Sequence, residues 1–317
     1  MKICILDHHN KAQGIETVLR CNDFEIADPY SFDYEAVLVD TDHPGSPPPD
    51  KPIVLQECAR RGIPIILYPH GGPPDLDYDG LRKLTLPISL RLVHGEGHAE
   101  IARRYGCKHR VEVVGWSFCE MAGLTAETPA AQSAVSQLLF APIHPWADGQ
   151  GILPFHKSAN VAAYHVFLEH PAEHKTVRMY GADDPNGITE RVDGIEYTQT
   201  DLGSAVDVVD AHDAVISFGT LAYTALARGK PVAMIFPYPG FTDDRGNFRT
   251  RHFEAYQEYC AYPAPVGEAP LDELFSRDVT DWKRLFVGEP LDEDKLCGLI
   301  RGFRANRAQR RKLARMR

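Results

Sequence analysis

The sequence predicts an α/β protein built as two halves, each a parallel sheet wound with helices. Three observations predict it. Strand-length apolar runs such as Ile63-Pro-Ile-Ile-Leu-Tyr68 do not alternate with polar residues, which marks strands buried on both faces. These runs alternate with helix-length runs closed by Gly62, Gly106 and Gly229. The alternation fails over residues 121–135, a stretch of small and polar residues, and restarts beyond it.

In the first half, residues 2–6, 36–40, 63–68, 90–94 and 111–114 read as strands, and 13–20, 53–61 and 98–105 as helices. In the second half, 137–142, 176–180 and 195–197 read as strands, and 160–169 and 202–211 as helices. Residues 213–236 then condense the pattern into one stretch. A strand at 214–216 meets a turn of Ser217, Gly219 and Thr220, a helix over 221–228, the Gly229 stop and a strand over 231–236. Residues 271–277 and 292–315 complete the helices. The expected domains are 1–120, a linker at 121–135, 136–290, and a basic C-terminal helix over 291–317.

At 317 residues and 44% apolar composition, the chain can fill two cores. No run of eighteen apolar residues occurs, and the N-terminal apolar patch is short for a secretory signal. The seven cysteines are odd in number and scattered, with no Cys-x-x-Cys pair for zinc or redox work, so a reducing cytoplasm is expected. A net charge of −10 argues against a wholly basic nucleic-acid binder. Yet residues 301–317 hold seven Arg and one Lys with no acid. That run reads either as a solvated terminal helix or as a contact for nucleic acid or anionic lipid.

The turn at Ser217, Gly219 and Thr220 places hydroxyls and backbone N–H groups at a helix N-terminus on the carboxyl side of a strand. Phosphate is held there without a metal, although the same residues also suit a plain helix cap. Other polar loops follow apolar strands in the same way: Pro69-His70-Gly-Gly, Ile143-His144-Pro-Trp, and Gly181-Ala-Asp-Asp. All are expected on the carboxyl edges of their sheets, and a nucleoside diphosphate joined to a small group suits a cleft lined by them. Several chemistries are excluded. The first strand lacks a Gly-x-Gly-x-x-Gly, and neither a P-loop nor a Gly-x-Ser-x-Gly elbow is present. The Asp-x-Asp pairs around Asp40 and Asp77 lie in or beside proline-rich loops, and His94-Gly-Glu-Gly-His98 reads as a strand-to-helix turn, so no residue is assigned to a metal.

The succession Tyr68-Pro-His-Gly-Gly72, Arg91-Leu-Val-His-Gly-Glu-Gly-His98, Val111-Glu-Val-Val-Gly-Trp116, Leu138-Leu-Phe-Ala-Pro-Ile-His144, Asp213-Ala-Val-Ile-Ser-Phe-Gly-Thr220 and Gly229-Lys-Pro231 resembles the GT-B glycosyltransferases. It is most similar to their CDP-glycerol glycerophosphotransferase and capsule-polymer transferase branch. The resemblance implies two Rossmann-like domains facing across a cleft, with the donor on the C-terminal domain, the acceptor on the N-terminal one, and no required metal or cofactor. It casts His70 as the candidate base or acceptor-side catalytic group, His144 as a donor-phosphate contact, and Ser217, Gly219 and Thr220 as the phosphate turn. Lys157 and Gly181 complete the expected donor side. One departure stands out: many members place a Glu on the helix after this turn, where this chain has Thr224 and Ala225.

The expected activity is transfer of a sugar or sugar-like group, inverting by preference, from a UDP- or CDP-linked donor to an acceptor hydroxyl. An anionic acceptor such as modified DNA or a lipid-linked cell-surface polymer would give the basic run a purpose. The alternatives are a nucleotide-sugar epimerase of the same fold and a non-catalytic binding module on a decayed transferase scaffold.

Overall fold

The computed structural model describes residues 1–6, 14–39, 51–68, 87–104, 107–116, 134–142, 154–179, 191–199, 205–217, 220–235, 270–276 and 288–315. The chain divides into two compact units, Met1–Cys119 with Gly288–Arg317, and Glu120–Val287. The C-terminal helix, expected as a segment of its own, is thus part of the first unit.

Unit 1 runs β1 (Lys2–Ile5), α1 (Ile15–Cys21), β2 (Glu25–Ile26), β3 (Ala36–Val39), α2 (Lys51–Arg60), β4 (Ile65–Leu67), β5 (Ile88–Val93), α3 (Glu96–Arg104) and β6 (Val111–Val113). Its strands are all parallel, in the order β2-β1-β3-β4-β5-β6. One face, with Ile3, Ile5, Leu38, Ile66, Leu90 and Leu92, packs on Ile15 and Leu19 of α1 and on Leu296 and Ile300 of the returning chain. The other face, with Cys4, Val37, Val39, Ile65 and Leu67, packs on Val54, Leu55 and Cys58 of α2. Covering both faces is the reason the central strands β3 and β4 are apolar at every position. The two-residue β2 is too short to leave a periodicity, and the sequence pattern misses it.

Unit 2 runs β7 (Gln137–Ala141), α4 (Pro154–Glu169), β8 (His174–Met179), β9 (Ile195–Gln199), α5 (Ala205–Asp210), β10 (Ala214–Ser217), α6 (Thr220–Ala227), β11 (Val232–Met234) and α7 (Leu271–Phe275). Its strands are also all parallel, in the order β11-β10-β7-β8-β9. Leu138, Phe140, Val177, Met179, Ala214 and Ile216 face α4 and α7, where Ala163, Tyr164, Phe167, Leu271, Leu274 and Phe275 meet them. Helix α4 begins six residues before its expected start because Pro154 opens it, where its missing N–H has no partner to lose. The chain then returns to unit 1 as α8 (Glu293–Arg315).

Two glycines end helices as the sequence indicates. Gly62 and Gly229 sit at φ 64° and 69°. Gly62 N–H donates to Ala59 O and Ile63 N–H to Cys58 O, while Gly229 N–H donates to Leu226 O and Lys230 N–H to Ala225 O. This paired closure requires a left-handed residue, which glycine adopts without a Cβ penalty.

Candidate functional site

Strand order fixes where each sheet opens. In unit 2 the chain builds outward from β7 through β8 to β9, then returns to lay β10 and β11 on the opposite side of β7. Helices that leave neighbouring strands in opposite directions part between β7 and β10, and ligands of open parallel sheets settle in that crevice at the carboxyl ends. Ser217, the last residue of β10, pairs there with Ala141, the last of β7, and with Met234 on its other side.

The structure moves Ser217 out of the turn in which the sequence pattern placed it. It is a strand residue, 0% exposed, and its carbonyl accepts the N–H of Ile235. The ladder thus runs one residue further than the apolar run. Asp213 locks the start of the same strand, its Oδ2 accepting N–H groups of Ser136 and Gln137, both at 2.9 Å. Thr220 opens α6, whose N-terminus lies at the crevice and carries the positive end of the helix dipole. Helix α6 is enclosed almost all round: Leu221, Ala222, Thr224, Ala225, Leu226 and Ala227 are at most 2% exposed. Thr224 and Ala225, the positions near which the resemblance leads a Glu to be expected, are therefore interior, where a carboxylate would have to be desolvated. At its far end Arg228 donates from Nε and Nη2 to the two oxygens of Asp210, at 2.9 and 2.8 Å, and so ties α6 to α5.

A residue that the sequence pattern passed over joins this edge. Phe140 pairs with Val177, so Ala141 runs beside Arg178, and Arg178 pairs in turn with Thr198. Phe140, Val177 and Met179 point to the α4 side. Alternation puts Ser217, Ala141 and Arg178 together on the opposite face, in one row across three strands spanning about 10 Å. Arg178 is 1% exposed. A guanidinium out of water is costly and marks ion-pairing or anion chemistry. The signal in the sequence was a lone Arg inside the otherwise apolar end of a strand, Val177-Arg-Met179.

Of the other expected donor residues, His144 follows β7, Gly181 follows β8 and Gly219 follows β10, so all three come from adjacent strands; each lies outside the described residues. Lys157 stands on the first turn of α4, with its side chain outside the described residues. His70, two residues beyond Tyr68, also lies outside them. Among the described residues no group of three or more His, Cys, Asp or Glu could hold a metal ion.

Unit 1 shows a different arrangement at its own carboxyl edge. The His94 ring stacks on Trp116 with centroids 4.4 Å apart, meets Tyr68 edge-on at 5.5 Å and meets His98 edge-on at 5.2 Å. Tyr68 OH donates to Gly115 O at 2.8 Å. The returning chain closes this corner: Glu289 N–H donates to His94 O, Trp116 N–H to Glu289 O and Asp292 N–H to Val114 O, each at 2.8 Å. Two glycines make the approach possible. A Cβ on Gly115 would lie 1.9 Å from Pro290 O, and one on Gly288 would lie 2.4 Å from His94 O; both sit at φ 76°. His98 is 1% exposed and neither ring nitrogen has a hydrogen-bond partner among the described residues. Burial, and secondarily the neighbouring His94, push its pKa well below the usual histidine value, so the ring is neutral. The sequence reading of His94 to His98 as a strand-to-helix turn matches this placement; its burial was not legible.

With the parallel sheets and their openings placed, known structures can be compared. Spinosyn rhamnosyltransferase SpnG aligns over 94% of this chain and 100% of its own, with a TM-score of 0.51 at 10% identity. SpnG complexed with spinosyn aglycone gives the same values, and SpnG complexed with thymidine diphosphate gives 0.50 at 11% identity over the same shares. The chain has a GT-B glycosyltransferase fold. No family model and no curated protein matches the sequence. At this identity the likeness concerns the fold alone. Among the described residues no helix is long and apolar enough to cross a membrane.

Proposed function

We propose that the protein is a glycosyltransferase that moves a sugar or sugar-like group from a nucleoside-diphosphate donor to an acceptor hydroxyl. The observation that carries the reading is the β10–α6 handover at the crevice of unit 2, where Ser217 ends β10 and Thr220 opens α6 beside the row containing Arg178. A neighbour of this fold binds thymidine diphosphate, which supports a nucleoside diphosphate as the donor's leaving group. The order of motifs favours the CDP-glycerol and capsule-polymer branch, with UDP or CDP as the nucleotide.

In this reading unit 2 holds the donor. As the glycosidic bond breaks, the diphosphate gains negative charge, and α6 N–H groups with Thr220, His144 and Lys157 stabilise it. Each well-aimed donor contributes about 3–4 kcal/mol to such a transition state. Residues of this chain thereby do work for which a metal is not required. Unit 1 supplies the acceptor side, where a neutral histidine takes the proton of the attacking hydroxyl. His70 is the first candidate. The strand order of unit 1 favours a second. Its sheet opens between β1 and β3, and Asp7-His8-His9 follows β1 directly, whereas His70 follows β4. The acceptor is an alcohol on an anionic molecule, such as DNA or a cell-surface polymer, in keeping with the basic C-terminal run.

The test is a panel of UDP-, CDP- and TDP-linked sugars. A bound donor at 100 times its Kd raises stability by about 2.7 kcal/mol, seen as a shift of the melting temperature. Release of nucleoside diphosphate only when acceptor is added supports transfer. Donor consumption without acceptor and without net diphosphate release supports the epimerase, and stabilisation without turnover the binding module.

A further inference from the structure

The helix α8 changes character along its length. Its first half is part of the unit 1 core, with Leu296, Cys297 and Ile300 at 0% exposure. Two of the eight cations expected to be available for a partner are engaged inside unit 1. Arg301 donates from Nη2 to Asn22 O at 2.7 Å and lies over the Phe24 ring at 5.1 Å, and Arg304 Nε meets a Glu35 carboxylate oxygen at 3.2 Å. Beyond Arg304 the helix continues to Arg315 as Ala-Asn-Arg-Ala-Gln-Arg-Arg-Lys-Leu-Ala-Arg, which holds four Arg, one Lys and no acid. Positions 307, 311 and 315 are four apart and so lie along one side of it.

The charge of the rest of the chain sharpens the contrast. Residues 301–317 carry eight cations and no acid against a chain total of −10, which leaves −18 on residues 1–300. An acidic body repels a polyanion; the basic half of α8 is the segment able to offset that repulsion. Its composition also distinguishes between polyanions. A helix that lies in a membrane interface buries bulky apolar residues on one side, and between 305 and 315 the one bulky apolar residue is Leu313. Arginine outnumbers lysine four to one here, and the guanidinium fork suits phosphate oxygens in a way an ammonium does not.

We infer that residues 305–315 of α8 form a docking helix for the phosphate backbone of nucleic acid. The binding is sequence-independent and electrostatic. It deepens the acceptor side of the transferase reading, yet it is measured without any sugar donor, so failure of one is distinguishable from failure of the other.

The experiment titrates the full-length protein onto a fluorescent 20-base-pair DNA duplex by anisotropy between 50 and 200 mM salt. With five phosphate contacts, affinity falls about 500-fold across that range, from a log–log slope of about −4.5. A variant with Arg307, Arg310, Arg311 and Arg315 all changed to Gln retains one contact, and its loss shrinks to about 3.5-fold. Circular dichroism and the melting temperature of this variant, compared with the wild type, show that the fold is intact. An Arg301→Gln change removes a cation used inside unit 1 and leaves the slope unchanged. The proposal is overturned if the wild type fails to bind duplex at 50 mM salt, if the fourfold variant keeps the wild-type slope, or if the protein binds vesicles of anionic phospholipid but not DNA.

Discussion

The two units share one architecture, a parallel sheet wound with helices, but differ at their carboxyl edges. In unit 2 the sheet opens at β7/β10, and the chain passes from strand to helix there in a few residues, Ser217 to Thr220. In unit 1 the opening is at β1/β3, while the β5/β6 corner is sealed by the returning chain over His94, Trp116 and Gly115. The difference teaches that the carboxyl edge of a parallel sheet is not a site in itself. Strand order decides which part of it opens, and chain laid over the remainder makes that remainder structural. Polar residues therefore carry different meanings in the two places. Arg178 lies in the row beside an opening, whereas His98 is enclosed, neutral and without a hydrogen bond among the described residues.

The largest effect that would sharpen this contrast concerns the base. His70→Ala is expected to lower turnover by about 10²- to 10⁴-fold with donor affinity unchanged. If instead His8→Ala or His9→Ala gives that loss and His70→Ala does not, the opening of unit 1 at β1/β3 supplies the base. Steady-state rates together with donor titrations on the three variants decide between them.

Gly115→Ala probes the sealed corner. The new methyl would overlap Pro290 O at a left-handed φ, so the return segment must lift. We expect a loss of about 2–4 kcal/mol in urea unfolding of unit 1. If unit 2 holds the donor as proposed, donor affinity stays at its wild-type value. Equal damage to both would mean that the units do not divide the work in this way.

Thr220→Val and Arg178→Leu test the open edge. Each is expected to weaken nucleoside diphosphate binding by about 1.5–3 kcal/mol if it contacts the phosphates, because hydrogen bonds to charged groups have that magnitude. Calorimetric titration measures it. An unchanged Kd in the Arg178 variant, accompanied by a lowered melting temperature, would make Arg178 structural, like His98.

The smallest effect is a pH dependence. His98 has a folded pKa below its unfolded value of about 6.5, so the unfolded chain binds the extra proton. Its contribution to stability is complete above pH 6.5 and is lost as pH falls from there toward the folded value, at most about 1.4 kcal/mol per pH unit. His98→Phe keeps a ring in place and removes this slope. Urea melts at pH 7 and pH 5.5 on both proteins show it, and an identical slope in the two would place the acid sensitivity elsewhere.

Much of this was legible in the chain. Unbroken apolar runs such as Ile65-Ile-Leu67 announced parallel strands because both faces are covered, and Gly62 and Gly229 marked helix ends because closure there needs a left-handed residue. Strand order was not legible, since it depends on which strands pair across more than twenty residues of intervening chain, as β7 does with β10. With it went the location of the two openings, and hence the standing of Arg178 and of the segment after β1. The engagement of Arg301 and Arg304 was hidden for the same reason, since their partners Asn22 and Glu35 are distant in the chain; the corner around His98 was hidden because its neighbour His94 is itself covered by the distant Trp116.

The central claim is that the donor diphosphate sits at the β10–α6 handover. Hydrogen exchange read by mass spectrometry, with and without UDP, CDP or TDP, tests it directly. The account predicts slowed exchange in peptides covering residues 217–224 and 137–144 with at least one of these nucleotides, and wild-type exchange in peptides of the sealed corner at 111–116. Protection confined to unit 1, or binding of a nucleotide that leaves residues 217–224 unprotected, would contradict it.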